Sequence, residues 1–280
     1  MQRITEYERD GLVFDVSDAG PLDGPVVVLL HGFPERNTCW RDVAPLLHAA
    51  GLRTIAPDQR GYSPRARPRH RRDYAIPELA ADVVALIEAV RTTTGVEKVH
   101  LVGHDWGAAV GWYVAARHRD LVASYTAFSV PHPGAYTRAL RGPQALKSWY
   151  MAMFNLPFVP ERLADAGVLA KVLRTTGMTR ADIARFHTEI VEYGALPGAL
   201  GYYRAMPFAL SGLRQDLTVH VPTTMVWSDG DTAIDRRGPE QSAKYCTGPY
   251  ELVELVGVSH WIPTQAPQEA ADAILARVGR

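Results

Sequence analysis

Residues 99–112 read Val-His-Leu-Val-Gly-His-Asp-Trp-Gly-Ala-Ala-Val-Gly-Trp. The stretch begins with a short apolar run typical of a β-strand, and a helix-like pattern starts at Ala108. Gly103 and Gly107 flank Asp105, as expected where a strand turns sharply into a closely packed helix, because side chains would clash there. The N–H groups of the helix N-terminus then point at the residue on the turn. The stretch predicts either a nucleophilic carboxylate at Asp105, which needs no base to activate it, or an aspartate that only caps the helix.

The composition is that of an ordinary soluble globular protein. Hydrophobic residues make up 47% and charged residues 21%, and Lys+Arg and Asp+Glu both total 30. This balance gives no sign of a surface for nucleic acid or for a membrane. The basic run at 65–72 lies in a proline-rich stretch and is interpreted as a solvated loop, with anion steering as the alternative. At 280 residues the chain forms one large α/β domain or one domain with an insertion.

The two cysteines, Cys39 and Cys246, are far apart in the sequence and lack the spacing of metal ligands. We expect packing thiols in a reducing compartment, because a disulfide framework is excluded and a single bridge is disfavoured. The first ten residues contain no apolar segment of the signal-peptide kind, and no apolar stretch approaches membrane length. The sequence therefore predicts a cytoplasmic protein.

Apolar runs and helical periods alternate along most of the chain. This alternation predicts right-handed crossovers and a doubly wound, mostly parallel sheet of the α/β class. Ligands of such sheets gather at the carboxyl ends of the strands, where segments 31–35, 58–62 and 103–107 all lie. The predicted strands cover residues 5–17 at one edge, 25–30, 52–56, 99–102, 121–128, 221–228 and 250–255, and the predicted helices cover 40–50, 76–90, the segment after 108 and 267–278.

The pattern changes at Pro131. From there to about Leu217 there is no strong strand signal, only helical segments that are broken by Pro and Gly and are rich in Tyr, Met, Phe and Leu. We interpret residues 131–217 as a helical cap inserted over the carboxyl edge of the sheet. Residues 1–130 and 218–280 are then the α/β core.

Partners for Asp105 follow the last two predicted strands. A carboxylate nucleophile leaves an ester, and hydrolysis of the ester needs a base oriented by an acid. Asp229 and Asp231 follow one strand, and His260 follows a glycine turn after the next. The order Asp105, Asp231, His260 is the nucleophile, acid, histidine order of α/β hydrolases.

With these residues in place, essentially the whole chain resembles the epoxide hydrolases of the α/β-hydrolase fold. His31-Gly-Phe-Pro-Glu35 resembles the family's HGxP oxyanion motif, and Asp58-Gln-Arg-Gly-Tyr62 resembles its D-x-R-G-x loop. Gly-His-Asp-Trp-Gly-Ala, at residues 103–108, resembles its usual elbow. The resemblance implies the α/β-hydrolase fold with a cap, and an enzyme that converts an epoxide into a vicinal diol.

The resemblance also implies roles for the residues around Asp105. The epoxide would form a hydroxyalkyl ester on Asp105, and water activated by His260 would hydrolyse that ester. The family pattern favours Asp231 as the acid, although Asp229 is only two residues away. The backbone N–H groups of Phe33 and Trp106 would form the oxyanion hole.

Two segments of the predicted cap extend the resemblance. Residues 148–157, Ser-Trp-Tyr-Met-Ala-Met-Phe-Asn-Leu-Pro, resemble the family's Y-x-x-x-F-Q-x-P segment, and residues 200–204, Leu-Gly-Tyr-Tyr-Arg, resemble its N-W-Y-R segment. They imply that Tyr150 and Tyr203 donate to the epoxide oxygen, a role that suits a hydroxyl with an ordinary pKa of about 10. Asn155 replaces the usual Gln and Gly201-Tyr202 replaces Asn-Trp, and both changes can reshape the pocket.

Two other functions compete with this interpretation. A dehalogenase of the same fold also uses an aspartate nucleophile, and Trp106 could bind halide. However, haloalkane and fluoroacetate enzymes usually carry Asn and Arg where this chain has Phe33 and Trp106, and neither needs the tyrosine pair. A non-catalytic binding protein is the second alternative, but it would be expected to have lost members of the site. A serine-type esterase is excluded by Asp105.

The sequence predicts no cofactor. No metal-ligand cluster is visible, and Gly103-x-Asp-x-Gly is too short for a dinucleotide fingerprint. The expected partners are a small-molecule epoxide and water, with neither nucleic acid nor membrane, and a homodimer is left open. The epoxide and the regiochemistry of attack are not predicted. The predicted substrate-binding residues are Phe33, Trp106, Trp149, Phe154 and Trp261, and Met151, Met153, Phe158, Met206 and Phe208 are further candidates for a largely apolar lining.

Overall fold

A computed structural model describes residues 2–209 and 216–279 of the chain. The strands are β1 (Glu6–Arg9), β2 (Leu12–Ala19), β3 (Val26–Leu30), β4 (Arg53–Pro57), β5 (Val99–His104), β6 (Val122–Phe128), β7 (Thr223–Ser228) and β8 (Tyr250–Leu255). In these two ranges they form one eight-stranded sheet in the order β1-β2-β4-β3-β5-β6-β7-β8. β2 pairs antiparallel with β1 and β4, and the other neighbouring strands are parallel. The predicted mostly parallel α/β sheet is confirmed.

Helices cover both faces of the sheet. The α-helices are α1 (Ala44–Ala49), α2 (Ile76–Thr94), α3 (Trp106–Arg117), α4 (Pro133–Ala139), α5 (Gln144–Lys147), α6 (Trp149–Asn155), α7 (Val159–Asp165), α8 (Val168–Thr175), α9 (Arg180–Phe186), α10 (Leu196–Ala209), α11 (Arg237–Ser242), α12 (Ile262–Gln265) and α13 (Pro267–Val278). β3 shows why two layers form, because successive side chains of a strand point to opposite faces. Val27 and Leu29 pack in the core beside α1 and α13, whereas Val28 and Leu30 pack in the core beside α2 and α3.

The first edge of the sheet differs from the prediction. Residues 5–17 were expected to form one strand, but the structure has a hairpin of β1 and β2 there. Asp10 and Gly11 form the turn with φ of 52° and 76°. Asp-Gly between two alternating segments is a strong hairpin signal, because both residues tolerate positive φ. The single-strand prediction overlooked that signal.

The described part of the segment between β6 and β7 is mostly helical, but residues 216–222 form no helix, and Val219 makes an isolated parallel bridge to Cys246. The segment contains helices α4 to α10 and a π-helical turn at His187–Glu192. The predicted cap range, 131–217, also includes residues 210–215, which lie outside the described residues. None of the helices in the two described ranges is both long and apolar enough to cross a bilayer.

Candidate active site

Asp105 sits on a sharp turn between β5 and α3. Its φ of 52° and ψ of −118° are unusual for a residue with a side chain, and such backbone strain costs about 1–3 kcal/mol. The turn is possible because Gly103 and Gly107 lack a Cβ atom, which lets β5 and α3 approach closely. A Cβ at Gly107 would lie 2.2 Å from the Leu30 carbonyl oxygen, and one at Gly103 would lie 2.4 Å from the Gly107 carbonyl oxygen. The strained turn places the carboxylate at the carboxyl end of the sheet.

The surroundings of Asp105 favour its ionised form. Its Oδ1 accepts a hydrogen bond of 2.7 Å from the Phe33 N–H, and its Oδ2 lies 3.4 Å from Nε2 of His260. Burial by itself would raise the pKa of Asp105. The hydrogen bond and charge of His260, with smaller contributions from His104 and the Phe33 N–H, outweigh burial and lower that pKa. Asp105 is thus a buried, ionised carboxylate.

Asp231 is the acid that reaches the histidine. Nδ1 of His260 and Oδ2 of Asp231 are 2.8 Å apart. The other carboxylate oxygen of Asp231 accepts from the backbone N–H groups of Ala233 at 2.7 Å and Ile234 at 2.9 Å. Asp229 instead accepts from the Gly257 N–H at 2.6 Å at an exposed position. The structure therefore brings Asp105, His260 and Asp231 together and leaves Asp229 outside.

The two carboxylates control the protonation of His260. Burial would lower the pKa of its imidazole, but the charge of Asp231 and the hydrogen bonds to Asp105 and Asp231 raise it to about 10. His260 is consequently a cation at neutral pH as long as Asp105 is charged. Loss of the Asp105 charge would remove one of the two groups that hold the proton.

A cavity of about 560 Å³ opens in front of Asp105. Tyr150 of α6 and Tyr203 of α10 both line it, with ring centroids 6.2 Å apart. Burial is the main cause that raises the pKa of both phenols well above the ordinary value, and the nearby Asp105 charge adds to it. Both hydroxyls therefore stay protonated and can donate. Of the other predicted lining residues, Trp106, Met151, Met206 and Phe208 are in the wall.

Four predicted substrate-binding residues do not line this cavity. Phe33 and Phe154 lie behind Tyr203, with ring centroids 5.2 and 4.8 Å from its ring. Trp261 packs on His260 at 5.1 Å between ring centroids and donates to Thr176 Oγ1 at 3.0 Å.

Trp149 is 58% exposed and points away from the cavity wall that its neighbours Tyr150 and Met151 form. The physical reason is that consecutive residues of an α-helix differ by about 100° in direction. Phe158, at 71% exposure, is likewise outside the wall, and Met153 packs against the hydrophobic core.

The sequence did not predict that His104 and Glu35 form a buried pair behind His260. Nε2 of His104 donates to the His260 carbonyl oxygen at 2.9 Å, and its Nδ1 lies 3.6 Å from Oε2 of Glu35. Burial lowers the pKa of His104 to about 4 and raises that of Glu35 to about 8. Both residues belong to the quoted motifs, but a motif does not show which of its side chains point inward. Among the described residues no three His, Cys, Asp or Glu side chains come together in a group that could hold a metal ion.

The side chains around Asp105 can carry out nucleophilic attack followed by hydrolysis of an ester. An ionised carboxylate can attack an electrophilic carbon, and two phenols can donate to the oxygen that leaves it. A histidine held by a second carboxylate can then deprotonate water. The Phe33 N–H already points at the carboxyl group on which negative charge would develop during hydrolysis of an ester.

The chain is similar to proteins of known family. The alpha/beta hydrolase fold family matches residues 25–267. AB hydrolase superfamily protein YfhM of Bacillus subtilis is 34% identical over 275 residues, covering 95% of this chain and 94% of that protein. Epoxide hydrolase 2 of Caenorhabditis elegans is 31% identical over 266 residues, covering 90% and 73%. The crystal structure of epoxide hydrolase A from Mycobacterium thermoresistibile matches with a TM-score of 0.84 at 28% identity, covering 98% of this chain and 97% of that one.

Proposed function

The chain belongs to the epoxide hydrolases of the α/β-hydrolase fold, and we propose that it converts an epoxide into a vicinal diol by way of an ester on Asp105. Hydrolysis of an epoxide is its activity; the ester and the residue roles are our proposal. The observation that carries it is an ionised Asp105 in the same cavity as the protonated hydroxyls of Tyr150 and Tyr203.

In the first step a carboxylate oxygen of Asp105 attacks one epoxide carbon. The carbon–oxygen bond of the strained ring breaks, and the oxygen, to which both phenols donate hydrogen bonds, takes its proton from Tyr150 or Tyr203. The raised pKa of these phenols means that they are protonated donors before the reaction. Alkoxide is a poor leaving group, so the proton is what makes ring opening efficient. The product is a hydroxyalkyl ester on Asp105.

In the second step His260 activates the water that hydrolyses the ester. Esterification removes the charge of Asp105, so the pKa of His260 falls while Asp231 still orients its ring. His260 takes a proton from water, and the resulting hydroxide attacks the carbonyl carbon of Asp105. The N–H groups of Phe33 and Trp106 are proposed to bind the oxyanion. The bond between that carbonyl carbon and the alkoxide oxygen then breaks, the departing alkoxide takes the proton from His260, and the carboxylic acid formed on Asp105 returns a proton to the histidine. The proton that the phenols gave in the first step is replaced by the one that His260 released on esterification, so the cycle adds one water.

The helices between β6 and β7 are proposed to act as the cap. Helices α6 and α10 contribute Tyr150 and Tyr203, whereas the nucleophile, acid and histidine lie in the segments that follow β5, β7 and β8. The wall also contains Met151, Met206 and Phe208. A cavity of about 560 Å³ with such a lining suits a small-molecule epoxide with apolar substituents.

A single turnover in water labelled with heavy oxygen tests the proposal. The label should enter the carboxylate of Asp105, and the first diol should carry an unlabelled oxygen from the enzyme. Label in the first-turnover diol would mean that water attacks the epoxide directly and that Asp105 is a general base. Asp105→Asn serves as the inactive control. Release of halide from haloalkanes at a comparable rate would favour the dehalogenase alternative.

A further inference from the structure

Helix α5 holds the loop that contains the catalytic acid. Nζ of Lys147 donates to the carbonyl oxygens of Asp231 at 2.8 Å and Ile234 at 3.2 Å. Nε2 of Gln144 donates to the Ala233 carbonyl oxygen at 2.8 Å, and its Oε1 accepts from the Asp235 N–H at 2.8 Å. Four hydrogen bonds from two side chains, one turn apart on α5, thus fix residues 231–235.

The same loop fixes the carboxylate of Asp231. The N–H groups of Ala233 and Ile234, whose carbonyl oxygens are held by α5, donate to Oδ1 of Asp231. Its other oxygen, Oδ2, contacts His260. A displacement of the loop would therefore displace the acid and, through it, the imidazole of His260.

We propose that Gln144 and Lys147 are positioning residues for Asp231 and His260, so that seating of the cap sets the rate of ester hydrolysis. The inference rests on the proposed two-step function. Gln144 is fully buried, so its hydrogen bonds to the loop at 231–235 are shielded from solvent. Buried polar side chains that are fully paired specify one geometry of the groups around them.

The positioning contacts extend to the wall of the substrate cavity. Nε2 of Gln144 also donates to Ser148 Oγ at 3.0 Å, and Ser148 Oγ lies 2.8 Å from the hydroxyl of Tyr136. Both Tyr136 and Ile234 line the cavity. Two members of the network that holds the acid therefore lie in the wall of the substrate cavity.

The inference has a specific kinetic signature. Attack by Asp105 does not use Asp231, whereas hydrolysis of the ester does. Loosening the loop should slow only the second step, so kcat and KM should fall together while kcat/KM stays constant. A general loss of structure would instead lower kcat/KM, because formation of the ester would suffer as well.

Lys147→Met is the sharpest test, because it keeps the length and the apolar stem of the side chain and removes its three donors. We expect ester hydrolysis to slow by on the order of tenfold, since small misplacements of reacting groups have effects of that size or more. The ester should accumulate in the steady state as an enzyme species heavier by one substrate. Lys147→Arg retains donors and charge and should restore most of the rate. Gln144→Leu should act in the same direction.

Lys171→Met is the matched control, because Lys171 is an exposed lysine of α8. It should leave both steps unchanged. Thermal unfolding of each variant separates folding defects from positioning. If the wild type forms the ester but Lys147→Met changes neither step, or lowers kcat/KM together with kcat, the positioning role is wrong. If the wild type forms no ester on Asp105, the proposed function itself is wrong, and the inference falls with it.

Discussion

Nε2 of His260 lies 3.4 Å from Oδ2 of Asp105. At this distance the imidazole interacts with the free carboxylate and, after ester formation, lies beside the carbonyl carbon that water must attack. Nδ1 of the same ring contacts Asp231 at 2.8 Å, which fixes the orientation of the ring. One histidine can therefore favour the ionised form of the resting carboxylate and then act as the base in the second step.

His260→Ala should allow ester formation and stop its hydrolysis. The substitution leaves Asp105, Tyr150 and Tyr203 in place and removes the base, while the Phe33 N–H still favours the ionised form of Asp105. Intact-protein mass spectrometry after incubation with an epoxide should show one added substrate mass, located on the peptide that contains Asp105. The double variant with Asp105→Asn should show no added mass. Continued diol formation by His260→Ala, or an adduct on another residue, would contradict the proposed role.

Tyr150→Phe and Tyr203→Phe should each slow ester formation sharply, and the double variant should nearly abolish it. Loss of a positioned proton donor costs on the order of a hundredfold or more. Single-turnover formation of the ester is the appropriate measurement, with circular dichroism to check folding.

Tyr245→Phe is the control for these two variants. Tyr245 stacks on His132 with ring centroids 4.4 Å apart and does not line the cavity. Its hydroxyl has no part in the proposed chemistry, so the variant should retain the wild-type rate. Near-wild-type diol formation by Tyr150→Phe/Tyr203→Phe would show that the oxygen is protonated by another group.

Asp231→Asn and Asp229→Asn should separate the two candidate acids. Asp231→Asn keeps the shape of the side chain but removes the charge that orients His260, and it should slow ester hydrolysis by at least on the order of a hundredfold. Asp229→Asn changes an exposed carboxylate that accepts from the Gly257 N–H, away from His260, and should have little effect on either step. The measurement is the decay of preformed ester after rapid mixing. A larger defect in Asp229→Asn would reverse the assignment.

The sequence predicts the α/β fold because that fold leaves strong local signals. The buried parallel strand β3 is a continuous apolar run, and the glycines around Asp105 have a steric cause within a few residues. The carboxyl ends of parallel strands converge, so the loops at Asp231 and His260 could be expected near Asp105 without any coordinates.

Other parts of the candidate site depend on tertiary contacts. Nothing local shows that Tyr150 faces the cavity while Trp149 faces solvent, because both are large aromatic residues of the same short helix. The contacts of Gln144 and Lys147 with residues 231–235 span more than eighty positions of the chain. No periodicity or motif encodes such contacts, so they become visible only in the folded structure.

The free energy of unfolding should decrease as the pH is lowered, partly because His132 is buried as a neutral imidazole. Its Nδ1 accepts from the Gly134 N–H and its Nε2 donates to the Leu217 carbonyl oxygen, both at 3.0 Å. Burial lowers its pKa to about 4, whereas an unfolded histidine has a pKa of about 6.5. Above pH 6.5 the His132 imidazole is neutral in both the folded and the unfolded protein, so its stabilising contribution is fully present. Between pH 6.5 and 4 only the unfolded state binds the proton, so the contribution of His132 to the free energy of unfolding decreases by at most about 1.4 kcal/mol per pH unit.

His132→Asn should therefore lower the free energy of unfolding at pH 7.5 and show a smaller difference from wild type at pH 5. Asparagine can still accept from the Gly134 N–H at the start of α4, but it does not titrate. Urea unfolding at the two pH values measures the difference. Thr137→Ala changes an exposed, non-titrating residue of the same helix, and its difference from wild type should be equal at both pH values. If the His132→Asn difference stayed constant or grew on acidification, the buried imidazole would not be a source of the acid sensitivity.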